Sequence, residues 1–149
     1  MNSANTVSVD FDIDTTDASA KLGVRVLVDH QVVYENSHVT ETCHFSYNGI
    51  NDDEDQEHEL IIELFGKLPG HTVINDAGEI VKDAMITVSN VQFDQVLVEQ
   101  AFLDVTQYHH DFNGTQSPSV VEFFGAMGCN GQARMKFTTP IYLWLLEIM

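Results

Sequence analysis

The sequence predicts an all-β domain, an antiparallel two-sheet β-sandwich of jelly-roll-like kind, and three observations lead there. Apolar and polar residues alternate with a period of two through several short runs, the spacing that turns one face of a strand to a core. Turn signals separate those runs, among them Leu68-Pro69-Gly70 and Asn75-Asp76-Ala77-Gly78. Prolines number only 3 while β-branched residues are frequent, a balance that suits packed sheets. At 149 residues, 44% of them hydrophobic, the chain has one-domain length and can close a core. It divides into an acidic N-terminal arm or edge strand over residues 1–20 and a single β-sandwich domain over residues 21–149.

In chain order, Asp10, Asp12, Asp14 and Asp17 stand among Val9, Phe11 and Ile13. This reads as an edge strand whose acids face water and guard the edge, or as a flexible arm. Leu22, Val24, Val26 and Val28 then alternate cleanly, and Asp29-His30 divides them from Val32-Val33-Tyr34-Glu35, the pattern of a hairpin. Thr40 to Tyr47 forms a further strand, followed by an acidic loop from Asn48 to Glu57. Leu60, Ile62 and Leu64 mark a half-buried or central strand ending near Gly66. After the Asn75–Gly78 turn, the run from Ala84 to Phe93 again has a period of two. Val96 to Val105 fits neither period, so a bulged strand and a single helical turn both suit it. Tyr108 to Gln116 reads as a polar loop, and Gly125 to Gly131 as a glycine-rich bend. The closing stretch, Arg134 to Met149, reads as a strand interrupted at Pro140, with pieces at Met135–Thr139 and Ile141–Leu146.

Charge narrows the function classes. The chain carries 23 acidic and 6 basic residues, a formal net charge of -17, which repels phosphate backbones and anionic membrane surfaces. No nucleic-acid or membrane partner is expected, whereas divalent cations, basic protein surfaces and neutral glycans remain compatible. Residues 1–21 lack the positive end and apolar core of a signal peptide. No apolar run reaches the roughly 20 residues that span a bilayer, so a soluble protein is expected. Cys43 and Cys129 are too few to suggest a disulfide framework, and two free, mostly buried thiols are expected.

Four groups of residues are candidates for chemistry. Asp52, Asp53 and Asp55 in the acidic loop, and Asp76 and Asp83 about the second hairpin, supply the hard oxygen donors that calcium takes, although neither set follows an EF-hand pattern. A solvated acidic surface is the competing account. His109 and Asp111 would hold a transition metal only with a third ligand such as His71 or His58, because adjacent His109 and His110 point to opposite faces of a strand. No spacing fixes a glycosidase-like carboxylate pair, and no nucleophile setting or phosphate loop occurs. A non-enzymatic protein is therefore expected, with no required cofactor. Tyr142, Trp144, Leu146, Ile148 and Met149 form an apolar set on the final stretch that either completes the core or meets a second subunit.

The segments GCNGQARMKFTTPIYLWLLEIM and ELIIELFGKLPGHTVINDAGEIVKD resemble small β-rich proteins of marine T4-like tailed bacteriophages. That resemblance implies a virion structural or accessory protein, located in the virion and acting through homo-oligomer contacts or contacts with other virion proteins. It implies no functional residues. The alternative is a calcium-dependent carbohydrate-binding module, with Tyr34, Tyr47 and Tyr108 as exposed aromatic candidates for a glycan.

Overall fold

The computed structural model describes residues 5–149. The strands are β1 (Thr6–Thr15), β2 (Leu22–Val28), β3 (Gln31–Val39), β4 (Cys43–Asn51), β5 (Gln56–Phe65), β6 (Thr72–Ile74) and β7 (Ile80–Asp83). They continue with β8 (Ile86–Phe93), β9 (Val96–Leu97), β10 (Thr106–His110), β11 (Ser119–Glu122), β12 (Ala126–Met127) and β13 (Gly131–Thr139). Two helices, α1 (Glu99–Val105) and α2 (Ile141–Ile148), complete the elements used below.

The chain is an antiparallel two-sheet β-sandwich of jelly-roll-like kind. One sheet runs β12-β8-β1-β4 with β9 joined to β8, and the other runs β11-β10-β13-β5-β2-β3. β6 and β7 form a separate two-stranded ribbon. Alternation explains the packing between the sheets. Val7, Val9, Phe11 and Ile13 of β1 meet the same core as Leu22, Val24 and Val26 of β2, Leu60, Ile62 and Leu64 of β5, and Met135 and Phe137 of β13. Full burial of each such side chain contributes about 1.5–3 kcal/mol.

The Asp29-His30 hairpin forms as expected, with both residues at positive φ, as a primed two-residue turn requires. Neither residue is glycine, and contacts of the Asp29 side chain offset the backbone cost. Its carboxylate accepts the Glu59 N–H at 2.9 Å and lies 2.6 Å from His58 Nδ1.

Several expectations are corrected. The first segment is not an edge strand: β1 pairs with β4 on one side and β8 on the other. Its aspartates face outward, but the apolar half of the alternation occupies the middle of a sheet. Residues 1–4 of the expected arm lie outside the described residues. The acidic loop is shorter than expected, since strand pairing extends through Asn51 and resumes at Gln56. Tyr108-His109-His110 is strand rather than loop, paired to β11 and β13. Val96 to Val105 resolves into the short strand β9 and the helix α1.

The largest correction concerns the last stretch. After Thr139 the chain is helical, with Ile141, Trp144 and Leu145 buried and Ile148 packed against the core. Positions 141, 144, 145 and 148 follow the i, i+3, i+4, i+7 spacing of one helix face. Pro140, whose fixed φ suits a helix start, stands at the N-cap without a side-chain cap. Asp52 supplies the missing cap from across the fold, its carboxylate accepting the Ile141 N–H at 2.6 Å.

Candidate functional site

The residues expected to hold a cation do not gather into one site. Asp52 caps α2, and Asp53 accepts the Asn5 N–H at 3.3 Å. Asp55 lies exposed at the end of the same loop, and Asp76 is exposed at the tip of the β6–β7 ribbon. Asp83 pairs with the buried ammonium of Lys67 and accepts the Thr72 hydroxyl at 2.7 Å. Among the described residues, no group of three or more His, Cys, Asp or Glu side chains is arranged to hold a metal ion. His109, His110 and Asp111 accordingly gain no third ligand from His71 or His58. His58 is buried, with Nδ1 against Asp29 and Nε2 3.2 Å from the Thr139 hydroxyl.

The aromatic candidates are corrected too. Tyr108 is buried, its hydroxyl donating to the Cys129 carbonyl and accepting the Cys129 N–H at 3.0 Å. Tyr34 and Tyr47 are half-buried and pack against the core. Of the expected interface set, Trp144 is 6% exposed and belongs to the core, against Phe93 and Phe137 with ring centroids 5.3 and 5.9 Å away. Tyr142, Leu146 and Met149 are exposed on the other side of α2, and Ile148 is half-buried. Cys43 and Cys129 are both free.

Polar chemistry instead collects on the outer face of the larger sheet. Because Ala133, Met135 and Phe137 of β13 point inward, Gln132, Arg134 and Lys136 stand outward. Register places His109 opposite Gln132, Gln132 opposite Glu63, and Glu63 opposite Arg25, which faces Glu35. Hydrogen bonds join most of that row. Arg134 Nε donates to Gln132 Oε1 at 2.8 Å, Gln132 Nε2 donates to Glu63 Oε2 at 2.7 Å, and Arg25 bridges Glu63 and Glu35. Arg25 is further held over the Phe65 ring, 4.6 Å from its centroid.

A trough follows β13 along this face. One depression, of about 510 Å³, lies among Glu63, His109, Asp111, Val120, Asn130 and Arg134. A second, of about 400 Å³, lies among Glu59, Val105, Gln107, His109, Arg134 and Lys136. His109 and Arg134 border both, so the two adjoin. Ile61, directly opposite Arg134, is 4% exposed yet stands outside the core cluster. Gly131 lets β13 close on β10 at one end, where a Cβ would strike His109 and His110. Burial holds the His109 imidazole below its usual range, Arg134 adds to that, and Glu59 opposes it. Near neutral pH His109 is therefore an uncharged imidazole, able both to donate and to accept a hydrogen bond.

Of the residues lining this trough, only His109 and Asp111 stood out in the sequence, and as metal ligands. The polar alternation of Gln132, Arg134 and Lys136 is legible there, but its register is set by partners far earlier in the chain, Gln132 lying 69 residues after Glu63 and 23 after His109.

The fold is one shared with carbohydrate-binding modules. Two solved structures resemble it: vCBM60 in a selenomethionine form, described in connection with two families of calcium-dependent carbohydrate-binding modules, and vCBM60 in complex with galactobiose. The first has a TM-score of 0.55 at 11% identity over 87% of this chain and 89% of the neighbour. The second has a TM-score of 0.50 at 12% identity over 86% and 96%. No protein-family model and no curated protein matches the sequence. These likenesses overturn the expectation of a virion structural or accessory protein, since nothing in them is specific to bacteriophage. No helix of the described residues is long and apolar enough to cross a membrane.

Proposed function

We propose that the domain binds carbohydrate and that the trough along β13 is its seat. The observation that carries this is the lining itself. The planar amides of Gln107 and Gln132, the Arg134 guanidinium and the Glu59 carboxylate share one outward face of the sheet. Such groups match the paired hydroxyls of a sugar, and Val105, Val120 and Pro118 add apolar edges for the C–H faces of its ring. The sandwich fold, shared with a protein that has been seen with galactobiose, supports the same reading.

Calcium dependence belongs to the neighbours by their description, and the acidic residues of this chain do not fit it. Asp52, Asp53 and Asp83 are committed to protein partners, and no three-ligand group exists among the described residues. Binding is therefore assigned to the trough's own side chains.

A glycan array that includes galactosides, read once with calcium and once with a chelator, tests this. The expected outcome is retention of a defined glycan set in both conditions, and its loss in Gln132→Ala and His109→Ala. Retention of no glycan in either condition would overturn it.

A further inference from the structure

Arg134 has a place unlike that of the other basic residues. The chain has 6 Lys and Arg residues against 23 Asp and Glu, so a cation would be expected to find a carboxylate. Arg25 pairs with Glu35 and Glu63, Lys67 with Asp83, Lys82 with Asp17, and Lys136 with Glu57. Lys21 caps a short 3-10 turn and lies outside the trough. Arg134 borders both depressions and has no carboxylate within ion-pair distance among the described residues.

Gln132 fixes the orientation of that guanidinium. Its Oε1 takes the Arg134 Nε–H, while its Nε2 is held by Glu63, which Arg25 holds in turn. The chain of hydrogen bonds spends the inner N–H of Arg134 and leaves the terminal fork without a protein partner among the described residues. A guanidinium fork matches a carboxylate through two parallel N–H···O bonds. Three of the six basic residues, Arg25, Arg134 and Lys136, share this outer face with Glu35, Glu57, Glu59 and Glu63, so its charges lie nearer to balance than those of the chain as a whole.

From these observations we infer that the trough selects a carboxylate-bearing sugar, a uronate, whose carboxylate pairs with the Arg134 fork. The inference rests on the carbohydrate-binding reading of the same trough and adds the class of ligand. A neutral lining would recognise hydroxyls alone, whereas an oriented, uncommitted guanidinium rewards a planar anion. Lys136 is exposed and only loosely paired with Glu57, at 3.8 Å, so it is free to approach a second acidic unit along the strand.

Calorimetric titration with three probes tests this: trigalacturonic acid, its methyl ester and the neutral galactose trisaccharide. Short probes at physiological salt keep long-range repulsion from the acidic surface small, because screening acts over about 8 Å. The acid is expected to bind on the order of tenfold or more tighter than its ester, the size of effect a charge-assisted hydrogen-bond pair gives. Arg134→Gln should bring acid and ester to equal affinity, and Arg134→Lys should keep only part of the preference. If the ester or the neutral sugar binds as well as the acid, the inference fails while the carbohydrate-binding reading stands. An acid preference unchanged in Arg134→Gln would overturn the assignment to this residue. If none of the three probes binds and the glycan array is also blank, the underlying reading fails with it.

Discussion

The ammonium of Lys67 lies buried against the carboxylate of Asp83, its side chain 1% exposed, and also donates to the Gly128 carbonyl. Asp83 is thereby fixed at the base of the β6–β7 ribbon, where it also holds the Thr72 hydroxyl. An aspartate that the sequence offers as a cation ligand is the counter-ion of the protein's own lysine.

Removing one partner strands the other charge. Asp83→Asn should destabilise the fold by about 3–5 kcal/mol, because a buried ammonium then lacks its carboxylate. The double variant Lys67→Met with Asp83→Asn should recover a large part of the loss. Urea unfolding of the two variants checks this, and an Asp83→Asn midpoint equal to the parent's would refute it.

The two sides of α2 should respond differently. Trp144→Ala opens a cavity between Phe93 and Phe137 and is expected to cost about 3–5 kcal/mol. Leu146, 78% exposed, should tolerate Ser within about 0.5 kcal/mol. Thermal melts of both variants decide the matter: equal shifts would contradict the burial pattern.

His44 and Asp12 predict a pH window on the outer face of the smaller sheet. His44 Nδ1 lies 2.8 Å from Asp12 Oδ1, and this hydrogen bond is the main cause that raises the imidazole above its ordinary value. Asp12 is held below the usual carboxylate range, first by the Asn90 side chain and then by His44. The histidine's contribution is complete below the ordinary imidazole value and is lost as pH rises through the raised one. That of the aspartate is present above the ordinary carboxylate value and is lost as pH falls through the lowered one. Stability from the pair is therefore greatest between those limits. An NMR titration of His44 should give a midpoint above that of a free imidazole, falling in Asp12→Asn. An unshifted midpoint would count against the pairing.

Tyr108 should be hard to ionise and costly to trim. Burial pushes its phenol well above the usual range, and its hydroxyl serves both backbone groups of Cys129. Tyr108→Phe leaves both unsatisfied and is expected to cost about 1–3 kcal/mol. Burial also raises the Cys129 thiol, so alkylation at neutral pH should be slow in the parent and faster in the variant. Timed alkylation followed by mass spectrometry measures this, and equal rates would argue against the contact.

The sheets were legible in the sequence because period-two alternation reports directly on faces. β13 carries it without interruption, β2 and β5 carry it with apolar Leu27 and Ile61 at outward positions, and the Asp29-His30 turn was visible without glycine. The final helix was missed for a physical reason. Its apolar residues stand on both sides, so Tyr142, Leu143 and Leu146 concealed the 3.6-residue spacing of Ile141, Trp144, Leu145 and Ile148. The interior position of β1 was hidden because outward aspartates look the same on a central strand with one wet face as on an edge. Acidic clusters drew attention to loops, whereas the candidate site depends on the register between β10, β13 and β5, which composition does not record.

The loop between β4 and β5 holds the first strand and the last helix at one place. Asp52 donates its N–H to the Asn5 carbonyl at 2.9 Å, Asp53 accepts the Asn5 N–H, and Asp52 caps Ile141. β1 and α2 therefore converge although they lie at opposite ends of the sequence. The order of the segments is in that sense separable from their arrangement in space. A circularly permuted chain, joined by a flexible linker long enough to run back along α2 from its end to the start of β1 and opened at the exposed Ala77–Gly78 tip, should keep both sheets and the outer face of β13 intact.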